Sequence, residues 1–214
     1  MNNFLVTYKK ILDNIKKIKF TKKEQEVLSD YKGSGYIRLN NYLRDNIKKI
    51  YINFIDKSET LEEYLKNYHK NINEEIKDMD NAINKSPFIP KGILAYRGYH
   101  KNYNSDNSCK SELTKFLEEL EKNKKVKMHE YLSISLNKKV ARSFSNYKYN
   151  NKNENYPILF IISFPEKTRA FPLTWKSIKN RYNEVVDYSE VELVLPREGE
   201  FLLHLWTFKT PIFI

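Results

Sequence analysis

The sequence predicts an α+β fold, a helical N-terminal part followed by a mainly antiparallel β core. Two observations carry this. Through residues 1–86 apolar side chains recur three and four apart, and from "SPFIPKG" at 86–92 onward they fall into short alternating or continuously apolar runs. Helices first and strands later is the order of segregated α+β folds, not of alternating βαβ units. No internal repeat or long linker interrupts the 214 residues, so one domain is expected over 1–214, mainly helical over 1–86 and mainly strands over 87–214.

The elements follow in order. "FLVTYKKILDNIKKI" places Phe4, Leu5, Tyr8, Ile11, Leu12 and Ile15 on one helical face. Thr21 and Glu24 form a capping box for a second, short helix ending near Tyr31. "YKGSGY" breaks the pattern with two of only five glycines. Helical spacing resumes through Leu39, Leu43, Ile47, Ile50 and Phe54, and again through Leu61, Tyr64, Leu65, Tyr68, Ile72, Ile76 and Ile83, behind a Thr60/Glu63 cap. In the second half "ILAYR" (93–97) is a strand, "SELTKFLEELEKN" an amphipathic helix, "MHEYLSISL" a strand and "KKVARSFSNY" a short helix before a polar loop at 148–155. "YPILFIISF" reads as a strand buried on both faces, from its continuous apolar run. "VELVLP" and "EFLLHLWTF" read as a hairpin joined by "REG".

Composition bounds the function. Hydrophobic residues at 40% and aromatics at 14% suffice for a packed core. Lys+Arg exceed Asp+Glu by 38 to 27, giving +11, which favours anionic partners such as nucleic acid, acidic protein or phosphorylated ligands. The surplus is spread along the chain, as in any Lys-rich solvated surface. Cys109 is the single cysteine, so the fold rests on no internal disulfide. The four histidines show no metal-ligand spacing, and no metal is expected. No apolar run reaches the roughly 20 residues of a membrane span, and "MNNFLVTYKK" lacks a signal peptide's apolar core. The chain therefore reads as soluble, with no membrane partner: cytoplasmic as written, or a secreted or injected effector if a delivery module lies outside it.

P-loop, dinucleotide and nucleophile-elbow motifs are absent. What remains is an ordered set of "YRG" at 96–98 ending a strand, "SIS" at 133–135 within a strand, and "EVE" at 190–192 opening another. An arginine at a strand end before a glycine has a rigid base and open backbone beside it, suited to gripping a phosphate or ribose. Ser133 and Ser135 face one side of their strand, and Leu132, Ile134 and Leu136 the other. Glu190 and Glu192 share one strand face across Val191, an arrangement of like charges that needs compensation.

In order and spacing these pieces resemble the Arg–Ser–Glu class of mono-ADP-ribosyltransferases, which includes the clostridial binary-toxin enzymes and the Rho-modifying exoenzymes. The likeness runs from about Tyr31 onward. The run at 31–44 resembles the helix before the family's nicotinamide pocket. "AYRG" resembles its Arg strand, "YLSISL" its serine strand with Ile134 in place of a threonine, "ARSFS" its nicotinamide-stacking segment, and "SEVELVLPREGEF" its Glu-x-Glu element. The resemblance implies a two-sheet core and NAD as substrate, with no metal. It implies that Glu192 is the catalytic carboxylate held by Ser133, and that Arg97 binds the phosphate–ribose backbone. It further implies that Gly98 presents backbone to the nicotinamide amide, that Arg44 and Asn40 line the NAD site and that Phe144 stacks on the ring. Glu190 would engage the acceptor. A glutamate at that position goes with arginine acceptors in the family. Relatives often carry a phosphate-binding Arg where this chain has Tyr147, and neither Tyr182 nor Tyr188 falls at the family's acceptor-recognising aromatic.

Four readings stay open at this level. They are transfer of ADP-ribose from NAD to a protein arginine, transfer to nucleic acid, plain NAD glycohydrolysis, and an inactive basic binding module. An inhibitor or antitoxin partner is compatible with each.

Overall fold

The apolar spacing of the first third is realised as helices. In the computed structural model, which describes residues 3–44, 61–99, 122–123, 125–145, 158–173 and 191–202, helix α1 spans Asn3–Ile15 and buries Tyr8, Ile11 and Ile15, while Leu5 faces solvent. Helix α2 (Lys22–Asp30) opens on the expected capping box. The Glu24 N–H donates to the Thr21 hydroxyl at 3.2 Å, and the Thr21 N–H donates to the Glu24 carboxylate at 2.8 Å. Glu24 is buried and accepts two further bonds from Lys85 Nζ, at 2.6 and 2.8 Å. These tie the start of α2 to the end of α4 (Leu61–Lys85). Burial pushes the Glu24 carboxyl up, but Lys85 and the Thr21 N–H outweigh it and hold the group below its ordinary range.

"YKGSG" does not end the helical run. Tyr31–Gly35 forms a wide π-type turn that leads straight into α3 (Tyr36–Leu43). Gly33 takes the kink, with φ −80° and ψ −117°. Gly35 packs so tightly that a Cβ there would lie 2.3 Å from the Asp30 carboxylate and 2.8 Å from the Asp30 backbone carbon. The glycines thus bend a helix that local propensity would have stopped. Ile47, Ile50 and Phe54, most of the helix expected at 111–123, and the 148–155 loop lie outside the described residues.

Among the described residues, β1 (Leu94–Tyr99), β3 (Leu132–Ser135), β4 (Ile158–Ser163), β5 (Phe171–Pro172) and β6 (Glu192–Leu195) form an antiparallel sheet in the order β4-β1-β3-β6-β5. A second antiparallel pair joins β2 (Lys125–Met128) to β7 (Gly199–Leu202), and helix α5 (Lys138–Ser145) packs on β1, β3 and β4. The fold is α+β, with a helical N-terminal part and an antiparallel core.

Two expectations change, and two strands are added. β4 is an outer strand of the described sheet with Ile161 exposed, so its apolar run does not mark burial on both faces. β6 and β7 do not form a hairpin. Pro196 ends β6, Glu198 takes φ 63°, and Arg197 is clamped to Asp80 of α4 through three hydrogen bonds of 2.9–3.1 Å, so the chain crosses to the second sheet. β2 and β5 go beyond the strands the sequence predicts: "KVKM" alternates lysine with apolar residues over only four positions, and β5 is two residues long and ends on Pro172, at the sheet's described edge.

The sheet separates two apolar cores. Leu132, Ile134, Leu136, Leu193 and Leu195 meet Ala95, Ile162 and the α1 residues Tyr8 and Ile11. Val194, Tyr131 and Phe171 meet Leu28, Leu39, Ile72, Met79 and Ile83 from the helices. Tyr131 links this second core to the helices. Its hydroxyl lies 3.0 Å from the Ile76 carbonyl and 2.8 Å from Asp80 and shares its one proton between these acceptors, and its ring packs edge-on to Tyr31 at 5.8 Å. Burial, and then the Asp80 charge, push the Tyr131 hydroxyl far up, so it stays a donor.

Two outcomes follow for stability. Tyr131→Phe strips Ile76 and Asp80 of a buried donor and is expected to cost about 1–3 kcal/mol in urea unfolding; an unchanged midpoint would show that these bonds contribute nothing net. Glu24→Gln is expected to be less stable than the parent at pH 7. The folded state holds Glu24 below its unfolded value, so its contribution is present above that value and is lost as pH falls through the lower, folded one. The gap in unfolding free energy should therefore narrow as pH falls below the ordinary glutamate range.

Candidate active site

The three motifs are far apart in sequence and adjacent in the sheet. β3 lies between β1 and β6, with Tyr96 opposite Ser135 and Ser135 opposite Glu192. Arg97 follows Tyr96 on β1, and its guanidinium donates to the Ser133 carbonyl. Gly98 is half-buried in β1 and pairs with Leu159 of β4. Arg97, Gly98, Ser133, Ser135 and Glu192 therefore sit on three neighbouring strands.

Helical residues close over this group. The Tyr31 hydroxyl donates to the Tyr131 carbonyl at 3.3 Å and also bonds the Ser133 side chain. Burial raises the Tyr31 hydroxyl, while its bonds to Asn40 and Ser133 and the nearby Arg97 charge pull the other way. Lys32, the next residue in the π-type turn, places Nζ 3.3 Å from Glu192 Oε2, with 14% of the lysine side chain and 22% of the glutamate side chain exposed. From the other side the Tyr8 hydroxyl of α1 donates to the Glu192 backbone carbonyl at 3.3 Å, and the Leu173 N–H donates to the same oxygen at 3.1 Å.

The entry to β6 is strained. Val191 is buried with φ 46°, a left-handed conformation that a β-branched residue rarely adopts and that costs on the order of 1–3 kcal/mol. The Leu136 N–H, donating to the Val191 carbonyl at 3.2 Å, pins it there. The strand starts only at Glu192, after the left-handed Val191. Glu190 itself lies outside the described residues, as do Tyr147, Tyr182 and Tyr188.

The remaining site residues are placed as follows. Ser133 faces Val194 across the ladder and its hydroxyl bonds the Tyr31 phenol, while Ser135, not Ser133, stands directly opposite Glu192. Ser135 Oγ accepts from the Asn137 N–H at 3.0 Å, and Asn137 Oδ1 accepts from the Lys139 N–H at the start of α5. Asn40, expected on the NAD side, is buried. Its Nδ2 donates to the Tyr131 carbonyl at 3.1 Å and its Oδ1 accepts from the Tyr131 N–H at 3.2 Å, so the amide is committed to the fold. Arg44 ends α3 with its side chain 39% exposed and paired with Glu130. Phe144 lies on α5, the helix that packs on β1, β3 and β4, and 52% of its surface is exposed. Sequence reasoning missed Lys32, Tyr31 and Glu130. A lysine among 38 basic residues gives no local sign that it will pair with a carboxylate 160 positions away.

The arrangement holds a little-exposed carboxylate beside the Lys32 ammonium. A carboxylate fixed in this way can oppose a positive charge that develops in a transition state.

No curated protein matches the sequence closely enough to carry an argument. Among solved structures, the chain is similar to an ADP-ribosyltransferase from Clostridium botulinum, with a TM-score of 0.56 and 18% identity over 94% of this chain and 87% of that one. It is similar to the C3 exoenzyme of Clostridium limosum, with a TM-score of 0.56 and 16% identity over 94% and 86%. It is also similar to the Vis toxin, an ADP-ribosyltransferase from Vibrio splendidus, with a TM-score of 0.51 and 18% identity over 93% and 76%. These likenesses establish the fold. The family model of the ADP-ribosyltransferase exoenzymes matches residues 6–207, nearly the whole sequence, and the chain belongs to that family of NAD-dependent mono-ADP-ribosyltransferases.

Proposed function

We propose that this enzyme transfers ADP-ribose from NAD to a protein arginine, with Glu192 as the catalytic carboxylate. The observation that carries the reading is the pairing of Ser135 with Glu192 and of Tyr96 with Ser135, which lines up the Arg97, serine and Glu192 strands around one little-exposed carboxylate. Nicotinamide in NAD is already a cationic leaving group. The bond between its ring nitrogen and ribose C1′ breaks, nicotinamide departs neutral with the electron pair, and positive charge develops on the ribose. Glu192 opposes that charge. Arg97 and Arg44 hold the anionic diphosphate side, Arg44 by exchanging its Glu130 partner, and Phe144 takes the nicotinamide face. Gly98 offers its backbone to the carboxamide. The acceptor nitrogen attacks C1′ and gives its proton to Glu190.

The arginine acceptor rests on Glu190, since a glutamate there goes with arginine in the resembling family, and on a chemical parallel. Vis, at 20% identity over 94% of this chain, has been seen in complex with agmatine, a small guanidine. The diffuse lysine surplus is weaker support for a nucleic-acid acceptor, because Lys125 and Lys127, in the Lys-rich segment before β3, face Glu200 and Glu198 across the β2–β7 pair. No helix among the described residues is long and apolar enough to cross a membrane. The family's exoenzyme character supports action as a secreted effector.

Glu192→Gln keeps the shape and removes the charge. It is expected to lower nicotinamide release by about 10²–10³-fold, as loss of a single electrostatic catalytic group does, with NAD still bound in calorimetric titration. Near-parental turnover would remove Glu192 from the catalytic role. Glu190→Gln is expected to suppress transfer to agmatine or to arginine-containing protein while leaving acceptor-free NAD hydrolysis within about threefold, because it removes an interaction made to the acceptor alone. Equal loss of both activities would place Glu190 in NAD binding or structure. Label from NAD that appears in nuclease-sensitive rather than protease-sensitive product would overturn the protein acceptor.

A further inference from the structure

We infer that Lys32 is a positioning residue for catalysis, holding Glu192 Oε2 so that the carboxylate is aimed at the NAD ribose. This rests on Glu192 being the catalytic carboxylate.

The geometry that carries it starts with the backbone. The π-type turn at Tyr31–Gly35 interrupts helical phase between α2 and α3, and such turns recur at functional sites because they turn a side chain out of the helical register. Gly35 makes this turn possible, since any Cβ at that position would collide with Asp30. The result brings a lysine side chain, ordinarily among the most exposed, down to 14% exposure with its ammonium 3.3 Å from Glu192 Oε2.

Burial of an ammonium and a carboxylate is weak evidence of a stabilising role. Their desolvation roughly cancels their attraction, and an apolar replacement of similar volume is often neutral or stabilising. A long, flexible cation held in a bent helix against a carboxylate at the mouth of a strained strand is more simply accounted for by what it does to that carboxylate. A glutamate has three rotatable bonds. The ladder and the Tyr8 hydroxyl act on its backbone, whereas Lys32 contacts a carboxylate oxygen. A misplaced stabilising group loses rate without losing substrate affinity, because its interaction is realised in the transition state. A π-type turn, a lysine with little exposure and a carboxylate without which the sugar charge is unopposed are thereby one device.

The test is acceptor-free NAD hydrolysis, followed by nicotinamide release, in the parent, Lys32→Met and Lys32→Arg, with thermal unfolding of each. Lys32→Met is expected to lower kcat by about tenfold or more with KM for NAD changed by less than about twofold. Its unfolding midpoint should be equal to or above the parent's, since methionine fills the volume without a charge to desolvate. Lys32→Arg, which restores a cation, should recover most of the lost kcat. An unchanged or raised kcat in Lys32→Met overturns the inference, and so does a loss carried by KM. A loss accompanied by a lowered unfolding midpoint and not rescued by arginine also overturns it, since that outcome describes a structural residue. Glu192→Gln measured alongside separates the two levels. If it is inactive while Lys32→Met is unaffected, the catalytic assignment stands and the role of Lys32 falls; if it is active, the underlying assignment falls.

Discussion

The clasp between Asn40 and the Tyr131 backbone is the contact on which the site depends. One amide side chain supplies both the donor and the acceptor that a neighbouring strand would have supplied, with bonds of 3.1 and 3.2 Å made in the buried interior. An amide paired in this way satisfies a buried backbone group that would otherwise cost about 1–3 kcal/mol. It also fixes how α3 meets the residue that leads into β3. From there Tyr31 reaches Ser133, Lys32 reaches Glu192, and the Tyr131 hydroxyl reaches α4 at Ile76 and Asp80. Asp80 holds Arg197 in turn, which sends the chain from one sheet to the other. Helices and strands are thus coupled through polar bonds set inside an apolar packing, where each bond is stronger for the low dielectric around it and costlier to break.

The site combines strain and charge at one strand end. Val191 is left-handed and buried, and Glu192 begins the ladder immediately after it. Backbone strain of this kind persists only where the surroundings over-determine it, and here the Leu136 N–H, the Leu173 N–H and the Tyr8 hydroxyl all bond the Val191–Glu192 pair of carbonyls. Glu192 is held through its backbone by the strand opposite and by α1, and through its carboxylate by Lys32.

What the sequence revealed was local. Thr21 and Glu24 announce their cap because the capping box is written in four consecutive residues. The α4 face is legible because Ile72, Ile76 and Ile83 repeat with the helical period. Arg97, Ser133 and Glu192 are legible as an ordered set, and the family likeness that order suggests is the family to which the chain belongs. What the sequence hid depends on partners elsewhere. "REG" reads as a tight turn whether its strands pair or part, and the clamp on Arg197 that parts them comes from Asp80 on α4. Asn40 matches a pattern pointing to NAD, while its partner is a backbone 91 positions away. Two glycines in "YKGSGY" look like a stop and form a bend, since helix packing on both sides carries the chain through. Val191 has a sequence suited to strand, and only the ladder's starting point shows that it is not one.

The long reach of these contacts has a consequence in time. Glu192 is bonded through its carbonyl to Tyr8, 184 positions earlier, and through its carboxylate to Lys32, 160 earlier. Chains dominated by such distant contacts fold slowly, because loop-closure entropy is lost before the contacts reward it. A chain emerging from synthesis has Tyr8 and Lys32 long before the strand that carries Glu192, so a fragment that ends before β6 lacks this set of contacts. The two contacts that place Glu192 against the helices therefore form only once its strand has been made and has docked.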